Sequence, residues 1–191
     1  MKNIIILLFI CLSSLISCQI YPLGTSPGDV PDGAYIKDVN NELDKYVGVW
    51  KGNWNGKIIF LDLRKHKAYS PGVRSYYIDR IVGGRKIINS NGVIEIDKIS
   101  NFNYNSSEFY GIFKSLVNGN WKRLRFYPDN MCGVHATLDI TSFETVPVAK
   151  MTLHMEYEPN YLDSNCQHYN YVKEHDDWPV NFPKDIVLTK Q

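Results

Sequence analysis

From residue 46 onward the chain is patterned with a period of two. Val134, Ala136, Leu138 and Ile140 alternate with His135, Thr137, Asp139 and Thr141. Met151, Leu153, Met155 and Tyr157 alternate with Thr152, His154, Glu156 and Glu158, and Ile186-Val187-Leu188 forms a short last run. Such alternation predicts half-buried β-strands. Asn-Gly, the strongest short hairpin signal because both residues of a type I′ turn take positive φ, stands at 55–56, 91–92 and 118–119. A two-residue turn at 55–56 pairs Trp54 with Lys57, Gly52 with Ile59, Trp50 with Leu61 and Gly48 with Leu63. Tyr46, Trp50 and Trp54 then share a face with Ile59, Leu61 and Leu63; a one-residue slip loses that match. The second turn sets Lys86 opposite Asp97 and Ile87 opposite Ile96. The third sets Phe113 opposite Leu124 and Leu116 opposite Trp121. Gly83-Gly84 reads as a fourth turn, between strands 78–82 and 85–88. Nine or ten strands in an antiparallel meander, without an amphipathic helix, predict an all-β sheet that curls or closes into a barrel over 46–191.

The first 17 residues follow a different pattern. Lys2 precedes an apolar run from Ile4 to Ile16, which is shorter than the ~20 residues needed to span a bilayer and has the length of a signal-peptide core. It ends in Leu15-Ile16-Ser17-Cys18. That tetrad resembles the lipobox of bacterial lipoproteins, which implies cleavage before Cys18 and acylation of its thiol; acyl chains add ~0.8 kcal/mol of membrane affinity per buried CH₂. Gln19, rather than Asp, follows the Cys. By resemblance to enterobacterial lipoproteins this implies an outer-membrane location, and the lack of an acidic cluster after Cys18 implies a face toward the periplasm. Pro22, Gly24, Pro27, Gly28, Pro31 and Gly33 interrupt regular structure, so residues 18–45 read as a lipidated Cys and a flexible tether.

Tyr46-Val47-Gly48-Val49-Trp50 resembles the Gly-x-Trp opening of lipocalin-type barrels, in which the Trp plugs one end. The whole chain also resembles small uncharacterised lipoproteins of the Bacteroidota, which share a Gly-x-Trp-x-Gly start. The resemblance implies a lipocalin-like barrel and an envelope address, and supplies no catalytic residue.

Charge excludes one class of partner. The 21 basic and 20 acidic residues of the full sequence leave +1, and loss of Lys2 with the leader makes the chain neutral. Binding to nucleic acid through phosphate neutralisation is excluded. Composition is otherwise globular. No Gly-x-Ser-x-Gly, His-Glu-x-x-His or phosphate loop occurs, and no cofactor is implied.

Cys132 and Cys166 remain once Cys11 leaves with the leader and Cys18 is acylated. In an oxidising compartment they predict a disulfide, whose loop of about 35 residues contributes ~3–4 kcal/mol in the chain-entropy picture; two free thiols or a metal pair are the alternatives. The stretch 158–184 carries Tyr161, Tyr169, Tyr171, Trp178 and Phe182 among several Asn. It reads either as a contact surface or as a loop folded over a barrel mouth. A hairpin tip at Glu144-Thr145 sets His135 opposite His154 with Glu156 one step along, a conceivable zinc site, although a polar strand face more often only meets water. His168, His175, Asp176 and Asp177 form a looser cluster.

Three functions follow from these residues. The first is a non-enzymatic envelope barrel that takes a small apolar ligand against Trp50, Trp54, Ile59, Leu61 and Leu63. The second is a structural module that contacts an envelope protein through Tyr161, Tyr169, Tyr171 and Trp178. The third is a metal-dependent hydrolase centred on the two histidines.

Overall fold

The computed structural model describes residues 19–114, 122–129, 131–158, 162–179 and 181–191. Of these, 19–42 and 67–79 form one compact unit, and 43–66 with the described part of 80–191 forms a second.

In the first unit β1 (Ile20–Pro22) and β2 (Tyr35–Lys37) pair in parallel, and β2 continues in parallel onto the opening residues of β5 (Tyr76–Ile88), with Tyr35 opposite Tyr77. Val30, Ala34 and Ile36 form its apolar centre, with Tyr21, Leu23, Tyr76 and Ile78 against it. The Tyr35 hydroxyl donates to Asp79 at 2.5 Å, and the Asp38 amide donates to the same carboxylate at 3.0 Å. Two short strands are more regular structure than the Pro and Gly pattern of 18–45 suggested. The breakers fall mostly between these elements, with Gly33 at φ +77° in the left-handed region.

The second unit is a closed antiparallel barrel. Its eight staves run in the order β5 (Tyr76–Ile88), β4 (Lys57–Ser70), β3 (Gly48–Trp54), β11 (Asp185–Lys190), β10 (Lys150–Tyr157), β9 (Ala136–Glu144), β8 (Lys122–Phe126) and β7 (Phe109–Lys114). The β7–β5 pairing, Ile81 opposite Gly111, closes the ring. β6 (Ile94–Asp97) adds outside the ring along the end of β5. Closure abolishes the edges a meander would leave exposed. The all-β barrel is therefore the architecture expected, built from eight of the eleven strands among the described residues. No helix among the described residues is long and apolar enough to cross a membrane.

The β3–β4 register is the one set by Asn55-Gly56: Trp54 faces Lys57 and Trp50 faces Leu61. Trp50, Ile59, Leu61 and Leu63 have no exposed surface, whereas Trp54 is half-buried at the turn under the Lys57 ammonium. Trp50 lies toward the end of the barrel where β3 begins. Its Nε1 donates to the Tyr46 carbonyl at 2.8 Å, Phe143 meets both Tyr46 and Trp50 edge-on, and Lys190 Nζ lies 5.5 Å from the Trp50 ring centroid. Lys86–Asp97 and Ile87–Ile96 also pair as expected.

Two register expectations are corrected. Phe113 lies opposite Arg123, not Leu124, because the ladder shifts between Gly111 and Phe113. The turn at 118–119 and the Leu116–Trp121 pair lie outside the described residues. Gly83-Gly84 is not a turn but the middle of β5, where both glycines are buried. A Cβ on Gly83 would stand 2.5 Å from the Asp62 carbonyl oxygen, and one on Gly84 would stand 2.3 Å from that of Lys98. These glycines let neighbouring main chains close in on β5. Gly84→Ala is therefore expected to lower stability by about 1–3 kcal/mol in urea denaturation; an unchanged midpoint would count against the close approach.

Candidate functional site

The far end of the barrel, opposite Trp50, carries the chemistry that no sequence motif announced. Phe109 opens β7 and Phe126 ends β8; they face each other across the ladder and stack at 4.7 Å with planes 9° apart. Gly83 on β5 pairs with Phe109, so Arg85, two residues on, shares that inward face. Its guanidinium carbon sits 4.8 Å from the Phe126 ring centroid, and Nε donates to Glu108 Oε2 at 3.2 Å. Arg85 is 1% exposed and Glu108 2%. An ion pair withdrawn from water this far recovers its lost hydration only through its partners. Burial accordingly works against both charges: it pushes the Glu108 carboxyl up and, despite Glu108 beside it, the Arg85 guanidinium down.

A lid from the β10–β11 connection covers this pair. The Asn181 carbonyl accepts a hydrogen bond from Arg85 Nη1. Phe182, fully buried, fits beside Phe126 at 5.6 Å and Phe109 at 6.0 Å. The Tyr157 hydroxyl donates to the Pro179 carbonyl at 3.4 Å, and burial pushes its pKa up to about 12. Earlier in the same connection the Cys132–Cys166 disulfide, with Cα atoms 5.7 Å apart, ties the lid to the β8–β9 loop. About two helical turns, α1 (Tyr169–His175), follow the bond. Tyr171 is 39% exposed and stacks on His175 at 4.2 Å, Lys173 lies over Tyr169, and His168 meets Trp178 edge-on. Within the aromatic stretch Phe182 enters the mouth while Tyr171 is exposed. Tyr161 and Cys18 lie outside the described residues.

The zinc arrangement is corrected. β9 and β10 join through residues 145–149, because Pro147 cannot extend a ladder. A further shift between Thr152 and Leu153 then sets His154 opposite Asp139 rather than His135. His135 lies 2.8 Å from Glu158 and stacks on Tyr127 at 4.9 Å. His154 Nδ1 lies 2.6 Å from Asp185, and Nε2 lies 3.6 Å from Glu156. His175 Nδ1 instead faces the Tyr171 carbonyl at 2.9 Å. No three His, Cys, Asp or Glu among the described residues are placed to hold a metal ion.

Asp185, first, and Glu156 raise the His154 pKa above the ordinary imidazole value. A raised folded-state pKa means that His154 stabilises the fold below its unfolded value, and that this contribution is lost as pH rises through the folded one. Asp185→Asn is expected to move the His154 NMR titration midpoint down; an unmoved midpoint would remove the Asp185 contact from the account.

The sequence matches, over residues 1–191, a family described as "Family of unknown function (DUF6705)", and the chain belongs to that family. No curated protein and no solved structure matches it.

Proposed function

We propose that this member of DUF6705 is a lipid-anchored, non-enzymatic barrel of the bacterial cell envelope that binds a small ligand at its lidded mouth. One observation carries the reading: a buried Arg85–Glu108 pair lies against stacked Phe109 and Phe126, under a lid stapled by Cys132–Cys166. Apolar residues would fill that volume at less desolvation cost than two charges. A cation held among aromatic rings at one end of a barrel has the composition of a ligand site, apolar walls with few placed polar groups. Trp50 lies packed toward the opposite end, and the lidded mouth is where a ligand enters. Native mass spectrometry of protein extracted from its own membranes is expected to find a small molecule that leaves on denaturation; a bare protein mass would oppose the reading.

The envelope address rests on Leu15-Ile16-Ser17-Cys18. Cys18 holds the acyl chains, and the barrel faces the periplasm from the outer membrane. Cys18→Ala should abolish metabolic labelling by palmitate and leave the protein unprocessed; labelling that persists would refute acylation at this residue.

A second reading uses the outside of the same lid. Tyr171 and His175, stacked on each other, form an exposed aromatic face on α1 suited to an envelope protein partner.

A further inference from the structure

Asn181 and Phe182 are the part of the lid that enters the barrel, and their covalent chemistry is specific. From the Asn181 carbonyl carbon, the backbone N, Cα and Cβ of Phe182 lead to the phenyl ring. The lid thus offers Arg85 an oxygen acceptor, and offers Phe109 and Phe126 a phenyl ring, through a three-atom link. We propose that Asn181–Phe182 is a built-in surrogate occupying a site for a small arylalkanoate, a carboxylate joined by a short apolar chain to an aromatic ring, and that the ligand enters by displacing it. The proposal rests on the reading of the mouth as a ligand site; it names the ligand's class and the gate.

Three features support the class. A guanidinium binds a carboxylate more strongly than an amide carbonyl, because the bond is charge-assisted and the fork accommodates two oxygens. The Phe109–Phe126 stack presents ring surfaces that a third ring meets edge-on or tilted, as Phe182 does at 62° and 53°. The surrogate lies outside the strand ladder. Residues 181–183 are buried but belong to no strand, while Lys184 after them and Asp176 and Asp177 before them are exposed.

Charge balance adds a condition. Arg85 already faces Glu108, so an entering carboxylate makes the pocket net negative unless a proton accompanies it. Glu108 is the acceptor, since burial already favours its neutral form. Arg85 and Lys98 face Glu108, and Tyr157 and Asp129 act on Arg85. The proton is expected to go to the group that is both buried and anionic.

The test uses the full chain in detergent, titrated calorimetrically with 4-phenylbutanoate and with 4-phenylbutanol, which has the same ring and chain without the anion. The acid is expected to bind the wild type saturably at one site, and about tenfold tighter than the alcohol. Phe182→Ala should strengthen acid binding by about tenfold or more, because the tethered competitor is gone. Where that variant fails to fold, Phe182→Leu, which keeps most of the apolar volume, takes its place. Arg85→Met/Glu108→Leu should bring acid and alcohol to equal affinity. Equal affinities in the wild type, or a preference for acid that survives in the double variant, would overturn the carboxylate class while leaving the mouth as an apolar site. Affinity unchanged by the Phe182 variants would overturn the surrogate. Binding of neither probe to any variant would sink the ligand-site reading itself.

Discussion

Arg85→Met alone is expected to destabilise the barrel by about 3–5 kcal/mol, and addition of Glu108→Leu should restore most of that loss. The single change strands a carboxylate that is 2% exposed, next to Phe109 and Phe126, with its partner at 3.2 Å gone. The double change replaces both charges by apolar groups of similar size, which cores commonly accept at small cost. Urea denaturation of the two single variants and the double variant gives the coupling directly. The loss in Arg85→Met should also depend on pH. Burial already raises the folded-state pKa of Glu108, and without the Arg85 guanidinium the largest influence opposing that rise is gone. A carboxyl raised on folding favours the native state when protonated. The variant should therefore be most stable below the ordinary carboxylate pKa and weaken as pH rises through the raised folded value. Losses that simply add across the cycle would mean that the two groups do not share a desolvated environment.

How much of this was readable in advance depends on how far each residue's partners lie along the chain. The register of β3 on β4 is local: Asn55-Gly56 fixes it, and the face holding Trp50, Leu61 and Leu63 confirms it. The two cysteines that the proposed leader and acylation leave over likewise allow one intramolecular pairing, and Cys132–Cys166 forms. Gly83-Gly84 shows the limit. The dipeptide signals a turn when only its neighbours are considered, yet these glycines serve the Asp62 and Lys98 carbonyls, one of them about twenty residues away and supplied by another strand. Reading a turn there also hid Arg85, which became the start of a short strand instead of an inward position near the end of a long one. Glu108 gave no sign either, since its partner is 23 positions earlier and no spacing rule joins them. The histidine pair failed for a related reason. Alternation assigns His135 and His154 to faces, but only the length of the 145–149 connection and the shift after Thr152 decide which residues meet. Local patterns thus found the barrel and its staple, while the mouth is made of residues that meet only when the ring closes.

Cys132→Ser/Cys166→Ser is expected to cost about 3.5–4 kcal/mol, the chain-entropy value for a closed loop spanning 34 residues. The loss should arise largely in the unfolded chain, which the bond confines, but it should have a local signature as well. Cys132 takes φ +51° and Gly133 +79°, so the segment that receives the bond is itself in left-handed backbone. Cys166 lies in a turn, and its Sγ accepts a hydrogen bond from the His168 amide at 3.3 Å just before α1 begins. A seven-residue helix is too short to persist on its own in water. Without the bond, α1 and the residues leading to Trp178 keep only a few side-chain contacts against an ordering cost of about 1–2 kcal/mol per residue. Hydrogen exchange should therefore rise across 162–179 by far more than in β3 and β4, whose ladder is untouched. Phe182 is anchored separately, by Arg85 and the two phenyl rings, so its protection should fall less than that of α1. Equal acceleration throughout the barrel would mean that the bond stabilises the fold as a whole and does not specifically order the lid; an unchanged urea midpoint would remove the staple from the account.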